Sequence, residues 1–187
     1  MLFRSKVERR AGVYRDLEGQ ELILDNGLIR RTIRIEPNGA TVGLDNLMTG
    51  ASLLRSVKPE ALVTLDGREF KVGGLVGQPN HAYLRAEWVG ELQAEPTAFR
   101  LTGLQLKPTE ALFGWQRRRL AVSAAWPPAG VAVVLRYEAA EGLLRGVEIE
   151  VHYELYHGMP VLAKWLVVKN GRRSEEHTSE LQSPNTI

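Results

Sequence analysis

The 187-residue chain contains no cysteine, which excludes a disulfide framework and any cysteine-ligated metal site. No apolar run reaches the roughly 20 residues that a membrane-spanning helix needs, so we expect no membrane partner. The excess of one charge sign is also small, because 24 lysines and arginines stand against 22 aspartates and glutamates. The basic residues are scattered, and the most basic run, at positions 117–119, is interpreted as a solvated strand edge. We therefore expect no nucleic-acid partner.

Sequence motifs of nucleotide and hydrolytic chemistry are absent as well. The chain has no P-loop, GxGxxG, HExxH or GxSxG pattern, and the glycines of segment 73–77 are spaced wrongly for a phosphate cradle. Glu150, His152 and Glu154 alternate along one predicted strand and could converge on a metal. A solvent-exposed polar stripe is the favoured interpretation, and carboxylates on one strand face cannot flank a glycosidic bond. The sequence predicts no cofactor, no metal site and no catalytic residue.

The two ends of the sequence look foreign to the rest. Residues 173–184 read RSEEHTSELQSP, which resembles the translation of a short-read sequencing adapter, and residues 2–5, LFRS, resemble the end of the partner adapter. Such segments are set aside before the fold is considered. We expect residues 1–5 and 173–187 to be adapter-derived, the latter as a disordered tail, and residues 6–172 to be one β-sandwich domain from a larger protein. The sequence leaves the cellular compartment open.

Residues 146–171 predict two long antiparallel strands. Apolar and polar residues alternate over positions 147–156, which is the period of a half-buried strand. His157-Gly158-Met159-Pro160 supplies the turn between the strands. Residues 161–168 then return as a strand that is apolar on both faces, so we expect that strand to lie between two layers.

Turn signals divide the rest of the chain at short intervals. Asp25-Asn26-Gly27 and Asp66-Gly67 predict hairpins, the first with the left-handed backbone of a type I′ turn. Pro37-Asn38-Gly39 and residues 126–130 predict further turns. About ten strands joined mainly by turns indicate an all-β antiparallel sandwich or barrel.

One segment, residues 81–94, has helical periodicity instead. Leu84, Trp88 and Leu92 fall four positions apart, which predicts a single helix with Trp88 on its buried face. The remaining tryptophans are also expected in the core: Trp115, on a strand predicted within residues 112–122, Trp126 and Trp165.

The start of that helix is the candidate ligand site. It follows a glycine-rich loop, residues 73–80, and long loops in compact domains tend to be functional or mobile. Asn80, His81 and Tyr83 combine an amide, an imidazole and an aromatic ring, which are groups that bind sugars. These three are the predicted carbohydrate-contact residues, although exposed tyrosine and histidine commonly have no ligand role.

The closing segment VHYELYHGMPVLAKWLVVKNG resembles the end of the N-terminal β-supersandwich domain of family 36 glycoside hydrolases, the α-galactosidase type. The matching positions are Tyr153, Leu155, Tyr156, Gly158, Pro160, Lys164, Val168 and Asn170. His157 stands where the family more often has aspartate. The segment LDNGLIRRTIRIEPNGATVGLDNL is similar to the start of such a domain, so the resemblance covers nearly all of residues 21–171.

The resemblance implies an antiparallel, galactose-mutarotase-like β-supersandwich with one short helix. In the family the catalytic aspartates lie on a downstream barrel, so no catalytic residue is carried over to this chain. The implied role is that of an inactive N-terminal domain of a retaining α-galactosidase-like hydrolase. Such a domain packs on the barrel, contacts carbohydrate through the missing catalytic domain and can support a homo-oligomer. Residues 73–83 are the best candidate for a loop that reaches an active site, as one does in some members.

Two other functions stay open. A stand-alone carbohydrate-binding or adhesion module predicts sugar binding by this chain that is lost on Tyr83→Ala. A structural β-sandwich of an unrelated protein predicts that no barrel follows Asn170.

Overall fold

The computed structural model describes residues 9–116, 125–139, 144 and 146–171. Within these residues the chain forms thirteen β-strands and one short α-helix. The prediction of an all-β antiparallel fold with a single short helix is therefore confirmed. The expected adapter-derived ends and the basic run at positions 117–119 lie outside the described residues.

The first sheet has five antiparallel strands in sequence order. They are β1 (Gly12–Arg15), β2 (Glu21–Asp25), β3 (Ile29–Arg34), β4 (Ala40–Asn46) and β5 (Ala51–Ser52). Leu22, Leu24 and Ile33 alternate toward the core and are almost completely buried. A bulge interrupts the ladder between β3 and β4, because Thr32 pairs with Gly43 while the next residue, Ile33, pairs with Thr41.

The turn between β2 and β3 forms where it was predicted, but it is not type I′. Gly27 has a positive φ of 71°, whereas Asn26 does not. Asn26 is buried, and its Oδ1 accepts a hydrogen bond from the Leu28 amide at 3.0 Å. Its Nδ2 donates to the carbonyls of Tyr156 at 2.8 Å and Met159 at 2.6 Å. The asparagine side chain thus closes the turn and joins it to the distant closing hairpin.

Smaller elements connect the first sheet to the second. β6 (Ala61–Leu65) pairs with β7 (Arg68–Val72) through Asp66 and Gly67, whose φ values of 49° and 73° have the sign that a type I′ turn requires. Next, β8 (Leu75–Val76) pairs with β9 (Gln93–Ala94), and α1 (Ala86–Val89) lies between them in the chain.

The predicted helix over residues 81–94 is wrong in its extent, because α1 has only four residues. Arg85 at its N-terminal end provides no side-chain capping bond, and Gly90 follows its last residue. Leu84 and Leu92 lie outside the helix and pack on a small second core. Leu84 and Leu92, eight positions apart, therefore reach this core from outside the helix and not along one face of a longer helix.

The second sheet has four antiparallel strands, also in sequence order. They are β10 (Arg100–Lys107), β11 (Gly130–Glu138), β12 (Val147–Tyr156) and β13 (Leu162–Asn170). The predicted closing hairpin is confirmed, with Leu155 paired to Leu162 and Gly158 at a positive φ of 67°. The strand predicted within residues 112–122 is not formed over residues 112–116, and the rest of that range lies outside the described residues.

The main core lies between the two sheets. It combines inward residues of the first sheet with one face of the second, namely Leu22, Leu24, Ile33, Val133, Leu135, Tyr137, Ile149, Val151, Tyr153 and Leu155. Full burial of one such side chain stabilises the fold by about 1.5–3 kcal/mol. Asn38 also connects the halves, because its Nδ2 donates to the Phe99 carbonyl and its Oδ1 accepts from the Leu101 amide.

The prediction that β13 lies between two layers is wrong. It is the edge strand of its sheet, and Leu166 and Val168 are 37% and 48% exposed. Apolar residues on both faces of a strand therefore did not indicate a central position here. None of the described residues forms a helix with the length and apolar character needed to cross a membrane.

Candidate functional site

The loop before α1 is organised by one buried side chain, Gln78, which the sequence pattern did not identify. Its Oε1 accepts a hydrogen bond from the Val57 amide at 2.9 Å. Its Nε2 donates to the carbonyls of Arg55 at 3.1 Å and Tyr83 at 3.0 Å. Because these partners are all backbone groups, no residue pattern elsewhere in the sequence marks the role of Gln78.

The three predicted carbohydrate-contact residues follow Gln78 on the protein surface. Asn80 Oδ1 accepts a hydrogen bond from the Ala82 amide at 2.8 Å, so this side chain stabilises the local turn. His81 is exposed, and Tyr83 is 44% exposed. In the part of the chain that the structure describes, no hydrogen bond or ring contact joins the three side chains. Their role in carbohydrate contact stays a prediction.

Tyr83 belongs instead to a small aromatic group with Trp88 and Arg85. The two ring centroids are 5.4 Å apart, and the Arg85 guanidinium lies 5.4 Å from the Tyr83 ring and 5.5 Å from the Trp88 ring. Trp88 is half-buried, and it is Val89 that α1 buries, contrary to the predicted orientation. Aromatic faces and a guanidinium at the surface can contact a sugar or a partner protein.

The prediction that Glu150, His152 and Glu154 form a solvent-exposed stripe is wrong. Their exposed fractions are 6%, 7% and 1%. The reason is that β12 is an inner strand and that its second face is also covered. The Trp165 ring stacks on His152 with centroids 4.9 Å apart, and the Glu110 amide donates to Glu154 Oε1 at 3.0 Å.

The charge of Glu150 is compensated by neighbouring side chains. Glu150 contacts Lys169 Nζ at 2.6 Å, His152 Nε2 at 3.1 Å and Arg136 Nε at 3.3 Å. Burial raises the pKa of Glu150, but hydrogen bonds from Lys169 and His152 outweigh burial and keep the pKa below its ordinary value. Among the described residues no three potential metal-ligating side chains converge. Glu150 therefore belongs to a structural ion-pair network, whereas Glu154 accepts hydrogen bonds from the Glu110 amide and the Tyr156 hydroxyl.

An aromatic cluster lies in the connection between β10 and β11. The Trp126 ring is 4.7 Å from Phe113 and 6.0 Å from Trp115, measured between centroids. Phe113 is 60% exposed and Trp115 is 38% exposed, while Trp126 is half-buried and donates from Nε1 to the Phe113 carbonyl at 2.9 Å. The expectation that Trp115 and Trp126 are core residues is therefore wrong, and Trp165 is also only half-buried.

Another deeply buried carboxylate belongs to Glu60, which lies between the sheets just before β6. Its side chain is 1% exposed and contacts Arg31 Nη2 at 3.3 Å and Lys164 Nζ at 3.2 Å. Tyr153 donates its hydroxyl hydrogen to Glu60, and Thr41 donates both its amide and its hydroxyl. Residues from both sheets therefore converge on one carboxylate.

The charge on Glu60 is favoured by these partners. Burial alone would raise the pKa of Glu60, but the positive charges of Arg31 and Lys164 and the hydrogen bonds from Tyr153 and Thr41 outweigh burial. Its pKa is held below the ordinary value. The sequence does not reveal this network, because two of its bonded members, Arg31 and Tyr153, are 122 positions apart.

Two buried tyrosines give a contrasting pair of substitutions. Tyr153→Phe removes a hydroxyl that bonds Glu60 and Arg31, so the free energy of unfolding should fall by about 1.5–3 kcal/mol. The Tyr137 hydroxyl is equally buried but has no hydrogen-bond partner. We therefore expect Tyr137→Phe to be neutral or stabilising. Urea unfolding of both variants measures the difference, and equal costs would contradict this description of the network.

Comparison with protein-family models, with curated proteins and with solved structures finds no match to this chain.

Two exposed surfaces described above have the chemistry to contact a ligand or partner. One is the Tyr83, Arg85 and Trp88 group, and the other is the cluster of Phe113, Trp115 and Trp126.

Proposed function

We propose that the chain is the non-catalytic β-sandwich domain of a carbohydrate-active enzyme, a retaining α-galactosidase-like glycoside hydrolase whose catalytic barrel is another part of the parent protein. The observation that carries this proposal concerns Tyr153 and Lys164, two positions of the sequence resemblance. Both contact the buried carboxylate of Glu60. The resemblance thus includes two residues that link the sheets through Glu60. Positions that a family shares because of its fold are expected to make contacts of this kind.

The one departure from the family pattern is compatible with the proposal. His157 stands where aspartate is more usual, and its Nδ1 accepts a hydrogen bond from the Ala11 amide at 2.9 Å. An aspartate carboxylate is also a hydrogen-bond acceptor. The position therefore keeps its hydrogen-bonding role with either residue.

The buried carboxylates support a non-catalytic role. Glu60 is engaged by Arg31 and Lys164, and Glu150 is engaged by Lys169 and His152. A retaining glycosidase needs two carboxyl groups about 5–5.5 Å apart across a cleft that admits the substrate. Carboxylates fixed in internal ion pairs do not meet that requirement, which agrees with placing the chemistry on a separate barrel.

Activity of a longer polypeptide tests the proposal. The present chain and a polypeptide that continues into its natural downstream coding sequence are assayed on an aryl α-galactoside. We expect hydrolysis only by the longer polypeptide. A folded longer polypeptide that hydrolyses no aryl α-glycoside would count against the hydrolase assignment.

A stand-alone carbohydrate-binding module is the second candidate, and the exposed Tyr83 and Trp115 rings favour it. Under the main proposal, the isolated chain binds glycans weakly at most, and its binding does not depend on Tyr83 or Trp115. Under the alternative, it binds, and Tyr83→Ala or Trp115→Ala should weaken binding by about tenfold or more, since loss of a stacked ring costs over 1.4 kcal/mol. Tyr14→Ala is the control, because Tyr14 is an exposed tyrosine on β1. Binding lost in the first two variants and kept in the control would replace the main proposal.

A further inference from the structure

A cleft of about 310 Å³ opens on the outer face of the first sheet, beside the segment that contains α1. Strands β2 to β5 contribute polar groups to its lining, namely Glu21, Thr32, Asp45 and Ser52. The segment at α1 contributes apolar groups, including Leu84 and Val89. Ligand sites commonly combine an apolar wall with a few convergent polar groups, and volumes near 300 Å³ are at the small end of their range.

Asp45 supplies the cleft with a free hydrogen-bond acceptor. The residue opposite it in the ladder, Arg30, is bonded to Asp25 instead, with Nη2 and Oδ2 2.6 Å apart. Glu21, the other carboxylate, faces Arg34 at 3.6 Å. Across the residues that the structure describes, Asp45 makes no side-chain hydrogen bond or ion pair, and no lysine or arginine lines this cleft. The cleft therefore disfavours anions and offers acceptors to hydroxyl groups.

The bulge between β3 and β4 shapes the floor of the cleft. Val42 has no partner in the ladder, and Val42 and Gly43 both line the cleft although they are consecutive. A Cβ atom at Gly43 would lie 3.2 Å from the Thr32 side chain and 3.9 Å from Asp45 Oδ2. The φ of Gly43 is not in the left-handed region, so the backbone does not require glycine there. Glycine instead keeps the space over Thr32 and Asp45 open, and bulges often occur next to binding sites.

We propose that this cleft binds a neutral polyhydroxylated ligand of about the size of one pyranose ring. Two neighbouring ligand hydroxyls donate to the Asp45 carboxylate, Thr32 and Ser52 lie beside them, and the carbon face of the ring packs on Leu84. The choice of a sugar among polyols rests on the proposed function. The predicted contact residues Asn80, His81 and Tyr83 do not line the cleft, although the next residue, Leu84, does.

The test is a titration of the isotope-labelled full chain with methyl α-galactopyranoside, followed by amide NMR shifts. We expect weak, saturable binding with shifts at Thr32, Gly43 and Ala86. Asp45→Asn should weaken binding by about tenfold, the usual effect of losing a charged hydrogen-bond acceptor. Gly43→Ala should also weaken binding, because its methyl group fills the floor of the cleft. Asp66→Asn, which makes the same charge change in the distant turn between β6 and β7, should leave binding unchanged.

Four results of these binding experiments would contradict the proposal. The absence of saturable shifts, shifts confined to Tyr83 or to the Phe113 cluster, or equal affinities of wild type and folded Asp45→Asn would overturn the cleft assignment. Binding of propylammonium without binding of the sugar would overturn the choice of a neutral ligand. None of these outcomes affects the proposed hydrolase domain, which is decided by the activity of the longer polypeptide.

Discussion

Replacing Glu60 with glutamine is expected to lower the free energy of unfolding by about 3–5 kcal/mol, the range for removing one partner of a buried ion pair. Glutamine has nearly the same shape, so the loss does not come from a cavity. It comes from Arg31 and Lys164, which then face a neutral amide in the interior, and from weaker bonds with Tyr153 and Thr41. Urea unfolding of wild type and variant measures this cost.

The control and the pH dependence identify the cause. Glu69→Gln makes the same chemical change at an exposed position on β7 and should alter stability by less than about 0.5 kcal/mol. The pKa of Glu60 is lower in the folded state than in the unfolded state, so its contribution is complete above the unfolded pKa and is lost as pH falls through the folded pKa. Wild-type stability should therefore decrease below about pH 5. A Glu60→Gln variant with the same acid dependence, or a cost similar to that of Glu69→Gln, would contradict the network.

Replacing Gly73 with alanine is expected to be as damaging, for a different reason. Gly73 has a positive φ of 60°, and a Cβ atom there would collide with the Gly39 carbonyl oxygen and lie 2.7 Å from the Tyr137 ring. Both neighbours lie in the interior, so neither can move cheaply. Backbone strain of about 1–3 kcal/mol and overpacking of similar size together predict a loss of about 3–5 kcal/mol.

Gly77→Ala is the matched variant for this prediction. Gly77 also has a positive φ, 103°, but the nearest atom to an added Cβ is 4.0 Å away, in Leu92. Gly77→Ala should therefore have the backbone cost without the collision. Thermal or urea unfolding should show that Gly73→Ala is clearly less stable than Gly77→Ala. Equal stabilities would show that Gly73 is not tightly packed against Gly39 and Tyr137.

The fold class could be predicted from the sequence because its signals are local. Alternation over residues 147–156 and the turn at Asp66-Gly67 depend on neighbours in the chain, and both formed as expected. The position of β13 in its sheet could not be predicted in this way, because strand order depends on which strands meet. The length of α1 was overestimated because Leu84 and Leu92 pack in the second core although they lie outside the helix.

The polar groups were harder to place from the sequence. Glu150, His152 and Glu154 have the alternation of an exposed stripe, yet both faces of β12 are covered. Glu60 and Lys164 are 104 positions apart, and their contact exists only once the two sheets have packed. No local pattern marks Asp45 either, because among the described residues its carboxylate is left without an ion-pair partner only through the pairing of Arg30 with Asp25.

The most direct test of the proposed function is the coding sequence that follows the codon for Arg172 in the source DNA. The account predicts several hundred codons of alternating strand and helix patterns, with paired aspartates at strand ends, as a catalytic barrel requires. An immediate stop codon in the natural gene, or an unrelated module in that place, would contradict the assignment to a glycoside hydrolase.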